Sequence, residues 1–144
     1  MGTTTFSGPV KAGTVREGAS ANVGFVEMAQ TAAWEQATAA ASTGIIVPAN
    51  SQITEITMYI TTACNGASQN LSVGTSTTST ELFTALALGT AADVVKQGST
   101  ATITDMDDWA DVGSSDVTIH TKTSAGTAGR GYITVKYIQG NNLA

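Results

Sequence analysis

With 144 residues and a net charge of −5, the chain has the length of one ordinary domain, enough to bury roughly 70% of the surface it exposes when unfolded. Apolar residues make up 42% and charged residues 12%, about half the usual charged share of ~25%. That balance excludes a disordered polyelectrolyte, and it lacks the Glu- and Lys-rich outer faces of helical domains. What replaces charge is Thr, Ser, Gly, Ala and Asn, residues of strands and of the turns between them.

The first twenty residues, MGTTTFSGPVKAGTVREGAS, carry only Phe6, Val10 and Val15 as sizeable apolar side chains, with a break at Gly8-Pro9. They are expected to form an extended arm (residues 1–20) ahead of a single β-domain (residues 21–144). The arm has no basic start followed by an apolar stretch, so it does not read as a secretory signal. Gly2 is followed at position 6 by Phe, which weakens a myristoylation motif. A strand pattern begins near Val23, with Val23 and Phe25 on one face and Val26 and Met28 on the other. The Ala-rich stretch from Thr31 to Ser42 is expected as a loop or a poorly paired edge, anchored by Trp34.

Gly44 to Val47 reads as a short apolar strand stopped by Pro48, and Pro48 to Ser51 as a turn. Ile53 to Thr62 alternates, placing Ile56, Met58 and Ile60 on one face and Thr57, Tyr59 and Thr61 on the other. Asn65-Gly66 is a turn pair, and Leu71 and Val73 start a strand ending at Gly74. Glu81 to Leu88 fits neither the helical nor the strand period and is left as either. Val94-Val95 and Ala101 to Ile103 form two further strands about a Gln97-Gly98 turn. A polar acidic connection runs from Thr104 to Asp116. Val117 to Thr123 then alternates with Val117 and Ile119 inward. After the Gly-rich loop from Ala125 to Gly131, Tyr132 to Ile138 closes the domain with Ile133, Val135 and Tyr137 inward. About eight short strands with regularly spaced turns predict an all-β, single-domain sandwich, jelly-roll-like in form.

No constellation rises to an active site, so no catalytic, cofactor-binding or metal residue is assigned and no enzyme activity is expected. The segment Asp105 to Asp111 fails the calcium-loop register, because Trp109 and Ala110 stand where an oxygen ligand and a Gly are needed. His120 is the sole histidine, which rules out a multi-imidazole zinc site, and its strand phase turns it outward. Cys64 has no second Cys, so no internal disulfide framework exists and assembly in a cytoplasm is expected. Gly126 to Gly131 lacks the Lys-Ser/Thr of a phosphate loop and precedes a strand. Asn70-Leu71-Ser72 matches a glycosylation sequon without a signal peptide to give it meaning. The six basic residues, Lys11, Arg16, Lys96, Lys122, Arg130 and Lys136, are scattered, so nucleic acid is not an expected partner. Apolar runs such as Ala85 to Leu88 are far short of a ~20-residue span, and no membrane partner is expected.

The segments Ile45 to Thr90 (IIVPANSQITEITMYITTACNGASQNLSVGTSTTSTELFTALALGT) and Asp108 to Ile138 (DWADVGSSDVTIHTKTSAGTAGRGYITVKYI) together resemble small structural proteins encoded in tailed-phage head modules. The shared texture is an apolar strand into a Pro-Ala turn, an alternating strand, an LSVGT segment, and a Gly/Ala/Thr loop before a last alternating strand. The resemblance implies a head decoration or cement protein on the outer capsid surface. Its partner would be the major capsid protein, and it would work as a homo-oligomer, a trimer. The same texture occurs in tail-fibre tips, where a glycan-binding module would use exposed aromatics such as Trp34 or Trp109.

Overall fold

The computed structural model describes residues 11–12, 24–66, 69–88, 92–96 and 102–139. In chain order the strands are β1 Lys11–Ala12, β2 Gly24–Phe25, β3 Glu27–Glu35, β4 Ala41–Val47, β5 Ser51–Thr62 and β6 Asn70–Gly74. They continue with β7 Phe83–Ala87, β8 Asp93–Lys96 and β9 Thr102–Ile103; helix α1 Met106–Ala110 precedes β10 Val117–Thr123 and β11 Arg130–Gln139. One sheet has the order β3-β11-β5-β8, the other β4-β10-β6-β7-β9, and β1 with β2 makes a separate ribbon. All the pairings are antiparallel. The expected arm lies outside the described residues apart from Lys11–Ala12.

The strand order defines the architecture. The pairs β3/β11, β4/β10, β5/β8 and β6/β7 nest inside one another along the chain. Such nesting winds a long antiparallel ribbon into two facing four-stranded sheets, the jelly roll. Two-residue β9 is an addition beside β7. The all-β sandwich expected from the alternating segments is therefore the observed fold.

Period-two patterning places the core. Ile133 and Val135 of β11 lie opposite Met58 and Ile56 of β5, and all four are at most 1% exposed. The second sheet faces them with Ile45, Val47, Leu71, Val73, Phe83, Leu86 and Ile119, all buried. Two breaks in the alternation have identifiable causes. In β5 a register shift opposite Lys136/Tyr137 pairs Glu55 and then Ile53 with successive residues of β11, so both Ile53 and Ile56 point inward. In β7 the residue Ala85 takes φ 61, and the register with β6 slips there. That bulge lets Phe83 and Leu86, three apart, share the core, which is why Glu81 to Leu88 shows no clean period.

Three expectations are corrected. The Ala-rich stretch is a loop only over residues 36–40: β3 is an edge strand, as one alternative had it, but runs through Glu35 in unbroken register with β11, and Ala41 and Ser42 already belong to β4. Small Ala and β-branched Thr fit the pleated outer positions, while Met28, Ala32 and Trp34 point to the core. Thr57, placed outward by alternation, is 1% exposed because Thr134 and Lys96 flank it and its hydroxyl bonds the Glu55 carboxylate at 3.2 Å. The acidic connection contains a helix, α1, with Asp105 as N-cap accepting from the Asp107 amide at 3.0 Å. Trp109 anchors it, donating from Nε1 to the Leu82 carbonyl at 2.9 Å.

At one end of the sandwich three loops converge on the side chain of Gln36, which is 3% exposed. Its Nε2 donates to the carbonyls of Asn65 (2.8 Å) and Ala125 (2.7 Å). Its Oε1 accepts from the amides of Asn65 (3.1 Å) and Gly129 (2.9 Å). All the hydrogen-bonding capacity of one amide is thus used on backbone groups. Removing it should leave four backbone groups without partners. We expect Gln36→Ala to destabilise the fold by about 2–5 kcal/mol, with Gln36→Glu no better because a carboxylate cannot donate. Chemical denaturation measures it, and an unchanged midpoint would show that water replaces the amide. Ile56→Asp, which buries an unpaired charge in the centre of the core, should be worse still, at roughly 3 kcal/mol or more.

Candidate interaction surface

The outer face of the sheet β3-β11-β5-β8 is open, and the strand register arranges it in rows. Ala33 lies opposite Tyr132, Tyr132 opposite Tyr59, and Tyr59 opposite Val94. These residues make one apolar row across all four strands. Tyr132, Tyr59 and Val94 are 50%, 42% and 52% exposed, far from what burial would give them. The next row is Thr31, Thr134, Thr57 and Lys96, with the hydroxyls of Thr31 and Thr134 2.9 Å apart.

Ion pairs border these rows. Lys136 and Lys96 each reach the Glu55 carboxylate at 3.0 Å, and Lys136 also faces Glu27 at 3.9 Å. On the other side Arg130 meets Glu35 at 3.7 Å. Three acids and three bases therefore cancel on this face, although the whole chain carries −5. The hydrogen bond from Lys136, then that from Lys96, holds the Glu55 carboxyl at about 2, and Glu55 in turn raises Lys136.

The other end of the molecule is acidic. Burial pushes the Glu81 carboxyl up, but hydrogen bonds from the Ser76 and Thr78 hydroxyls and the Thr80 amide outweigh it and hold Glu81 at about 2. Gly74 makes room for this arrangement, since a Cβ there would collide with the Glu81 carboxylate. Nearby Asp108 is raised, by burial first and then by Asp105, Glu81 and Asp107. Between α1, β9 and the start of β5 lies an apolar cleft of about 500 Å³, lined by Gln52, Ile53, Thr54, Ile103, Met106 and Trp109.

The residues tested in the sequence for chemistry stay apart. His120 is half-buried on β10, its Nδ1 3.0 Å from the Thr118 carbonyl. Cys64 is buried at the end of β5, and burial pushes its thiol up. The glycines of the Gly126 to Gly131 loop serve close packing: a Cβ on Gly126 would strike the Asn65 carbonyl, and one on Gly129 the Cys64 sulfur. Among the described residues no three His, Cys, Asp or Glu side chains gather as a metal site. Trp34 and Trp109 are 3% and 8% exposed, so neither offers a platform for a sugar. Sequence alternation turned Tyr59 and Tyr132 outward. It did not reveal that they stand side by side, because that depends on the register between β5 and β11.

No family model matches this chain, and no curated protein does. Among solved structures it is similar to a chain of the capsid asymmetric unit of cyanophage Pam1, with a TM-score of 0.48 and 12% identity. The likeness covers 96% of this chain and 91% of that one, and at this depth it carries no conclusion about function.

The ion pairs give a pH dependence. Glu55 titrates near 4.5 in an unstructured chain and at about 2 in the fold, so its contribution is complete above about pH 4.5 and is lost as pH falls through about 2. Glu81 acts over the same window. Thermal melts should therefore show Tm falling between those limits, and Glu55→Gln should make that fall shallower while slightly lowering Tm at neutral pH. An identical acid limb in variant and parent would mean the lysines do not hold this carboxylate in solution.

Proposed function

We propose that this protein is a structural component of a tailed-phage virion that binds the outer surface of the head and decorates or cements neighbouring capsid subunits. The observation that carries the reading is the neutral, tyrosine-bearing outer face of β3-β11-β5-β8, taken with the sequence texture shared with head-module proteins. Ala, Thr and Tyr lose little side-chain entropy when ordered in an interface. Tyr is among the residues that dominate binding energy where it is buried against a partner. The ion pairs on the face balance its charges, so it opposes docking less than the rest of an acidic chain would. On this reading the major capsid protein is the partner, and the working unit is a homotrimer. No catalytic step is assigned to it.

The test uses undecorated heads and the full-length protein, with bound copies counted after sedimentation. Tyr132 is half-exposed, so Tyr132→Lys should leave the fold intact while weakening attachment on the order of tenfold or more. Equal binding by the variant would remove this face from the interface. Failure of the parent protein to bind any head would overturn head decoration, and a monomer in sedimentation velocity would overturn the trimer.

A further inference from the structure

The turn after β5 carries the sequence's one Asn-Gly pair, Asn65-Gly66, and both residues are exposed to water. Such a pair has a chemistry of its own. The Gly66 amide nitrogen attacks Cγ of Asn65, its proton passes through water to the departing Nδ2, and ammonia leaves. Water then opens the five-membered succinimide to an aspartyl or an isoaspartyl residue. The net change is amide and water to acid and ammonia. Glycine hinders the attack least, because it sets no Cβ beside the nitrogen and its backbone turns freely.

Closing that ring requires rotation about two bonds of Asn65: Cα–C, which swings the Gly66 nitrogen, and Cα–Cβ, which swings Cγ. The fold restrains both. Gln36 holds the main chain on either side of Cα, accepting through Oε1 from the Asn65 amide at 3.1 Å and donating from Nε2 to the Asn65 carbonyl at 2.8 Å. The side chain is held from the facing loop, where Oδ1 accepts from the amides of Thr127 (2.8 Å) and Ala128 (3.0 Å). Gln36 is buried and also bonded to Ala125 and Gly129, so it cannot follow the motion without breaking the corner. The reaction needs a near-attack approach of about 3–3.5 Å and then closure to bonding distance, and four hydrogen bonds oppose that movement. The two amides on Oδ1 replace water that would bond it in an unfolded chain, so they fix the atom while adding little polarisation.

We propose that Asn65 is a deamidation site that Gln36 holds closed, so that the residue converts only when this corner of the sandwich opens. Conversion would also keep the corner open. An isoaspartyl link routes the main chain through Cβ and Cγ, which lengthens it by one atom and displaces the carbonyl that Gln36 bonds. The converted protein should therefore melt below the parent. The proposal stands on the Gln36 and Asn65 hydrogen bonds and does not depend on head binding.

The test incubates the full-length protein in mildly alkaline buffer and follows Asn65 by peptide mass mapping and an isoaspartate assay. The folded parent should convert on the order of tenfold or more slowly than a peptide of residues 61–69 in the same buffer. Gln36→Ala, checked for folding by circular dichroism, should recover much of that difference. Val135→Ala is the control: Val135 is buried opposite Ile56 in the middle of the sheet, so its truncation weakens the core without touching the corner and should leave the parent rate. Equal rates in the folded parent and the peptide would overturn the protection, and that comparison needs no variant. A folded Gln36→Ala protein that converts no faster than Val135→Ala would overturn Gln36 as the restraint.

Discussion

One buried amide organises the end of the sandwich where the chain crosses most often between sheets. Gln36 follows β3 and leads toward β4 in the other sheet; Asn65 follows β5 on the way to β6; Ala125 and Gly129 belong to the loop that returns β10 to β11. These are three of the corners at which the chain changes sheets, and each corner leaves backbone N–H and C=O groups without a ladder partner. The Gln36 side chain supplies four bonds to them, and its own amide donates to the Gly129 carbonyl at 2.8 Å. Asn65 repeats the device on a smaller scale, accepting through Oδ1 from the amides of Thr127 and Ala128. The approach is so close that side chains are excluded at Gly126 and Gly129. The glycine-rich sequence is therefore a packing requirement of the amide, which explains its lack of phosphate-binding residues.

Fixing these corners fixes the register of the strands that leave them, and the surface follows from that register. β11 is the central strand, paired with β3 over nine positions and with β5 over ten. Every outward side chain of β11 consequently has a neighbour on both sides. Tyr132 is flanked by Ala33 and Tyr59, Thr134 by Thr31 and Thr57, and Lys136 by Ala29 and Glu55. A slip of one residue would send Tyr132 and Lys136 toward the core and Ile133 and Val135 to solvent. The burial that holds the core in place is thus also what aligns the tyrosines and brings Lys136 onto Glu55. Core and surface are two faces of one constraint.

This link explains what could be read in the sequence and what could not. The core positions of β5, β10 and β11 were legible because alternation is a local signal that burial does not disguise. The turn at Pro48 to Ser51 was legible for the same reason. β7 was not, because Ala85 in the left-handed region shifts the phase of its apolar residues by one. β3 was obscured by composition: runs of Ala have weak strand preference, and here pairing with β11 overrides it. Helix α1 is only five residues long and rests on an Asp cap and one tryptophan, too little for a periodic signal. Gln36 looks like any polar residue in a small-residue stretch, since its partners are 29, 89 and 93 positions away. The tyrosine row is non-local in the same sense. Each Tyr could be placed outward from its own strand, but their adjacency belongs to the pairing.

The distribution of charge adds a polarity that neither the fold class nor the net charge conveys. Glu27, Glu35 and Glu55 are matched by Arg130, Lys96 and Lys136 on the outer sheet face. Glu81, Asp105, Asp107, Asp108 and Asp111 instead belong to α1 and the segments beside it, where Asp108 is raised by burial first and then by repulsion from Asp105, Glu81 and Asp107. The molecule therefore presents a charge-balanced sheet face and, at the end where α1 packs beside the start of β5, an acidic patch. Two copies approaching through their acidic ends would repel within a Debye length of about 8–10 Å, whereas approach through the charge-balanced face meets no such barrier. Long-range repulsion and short-range apolar contact thus favour the same orientation. On the proposed reading, that orientation would leave the acidic end in solvent and set the tyrosine row against the neighbouring surface.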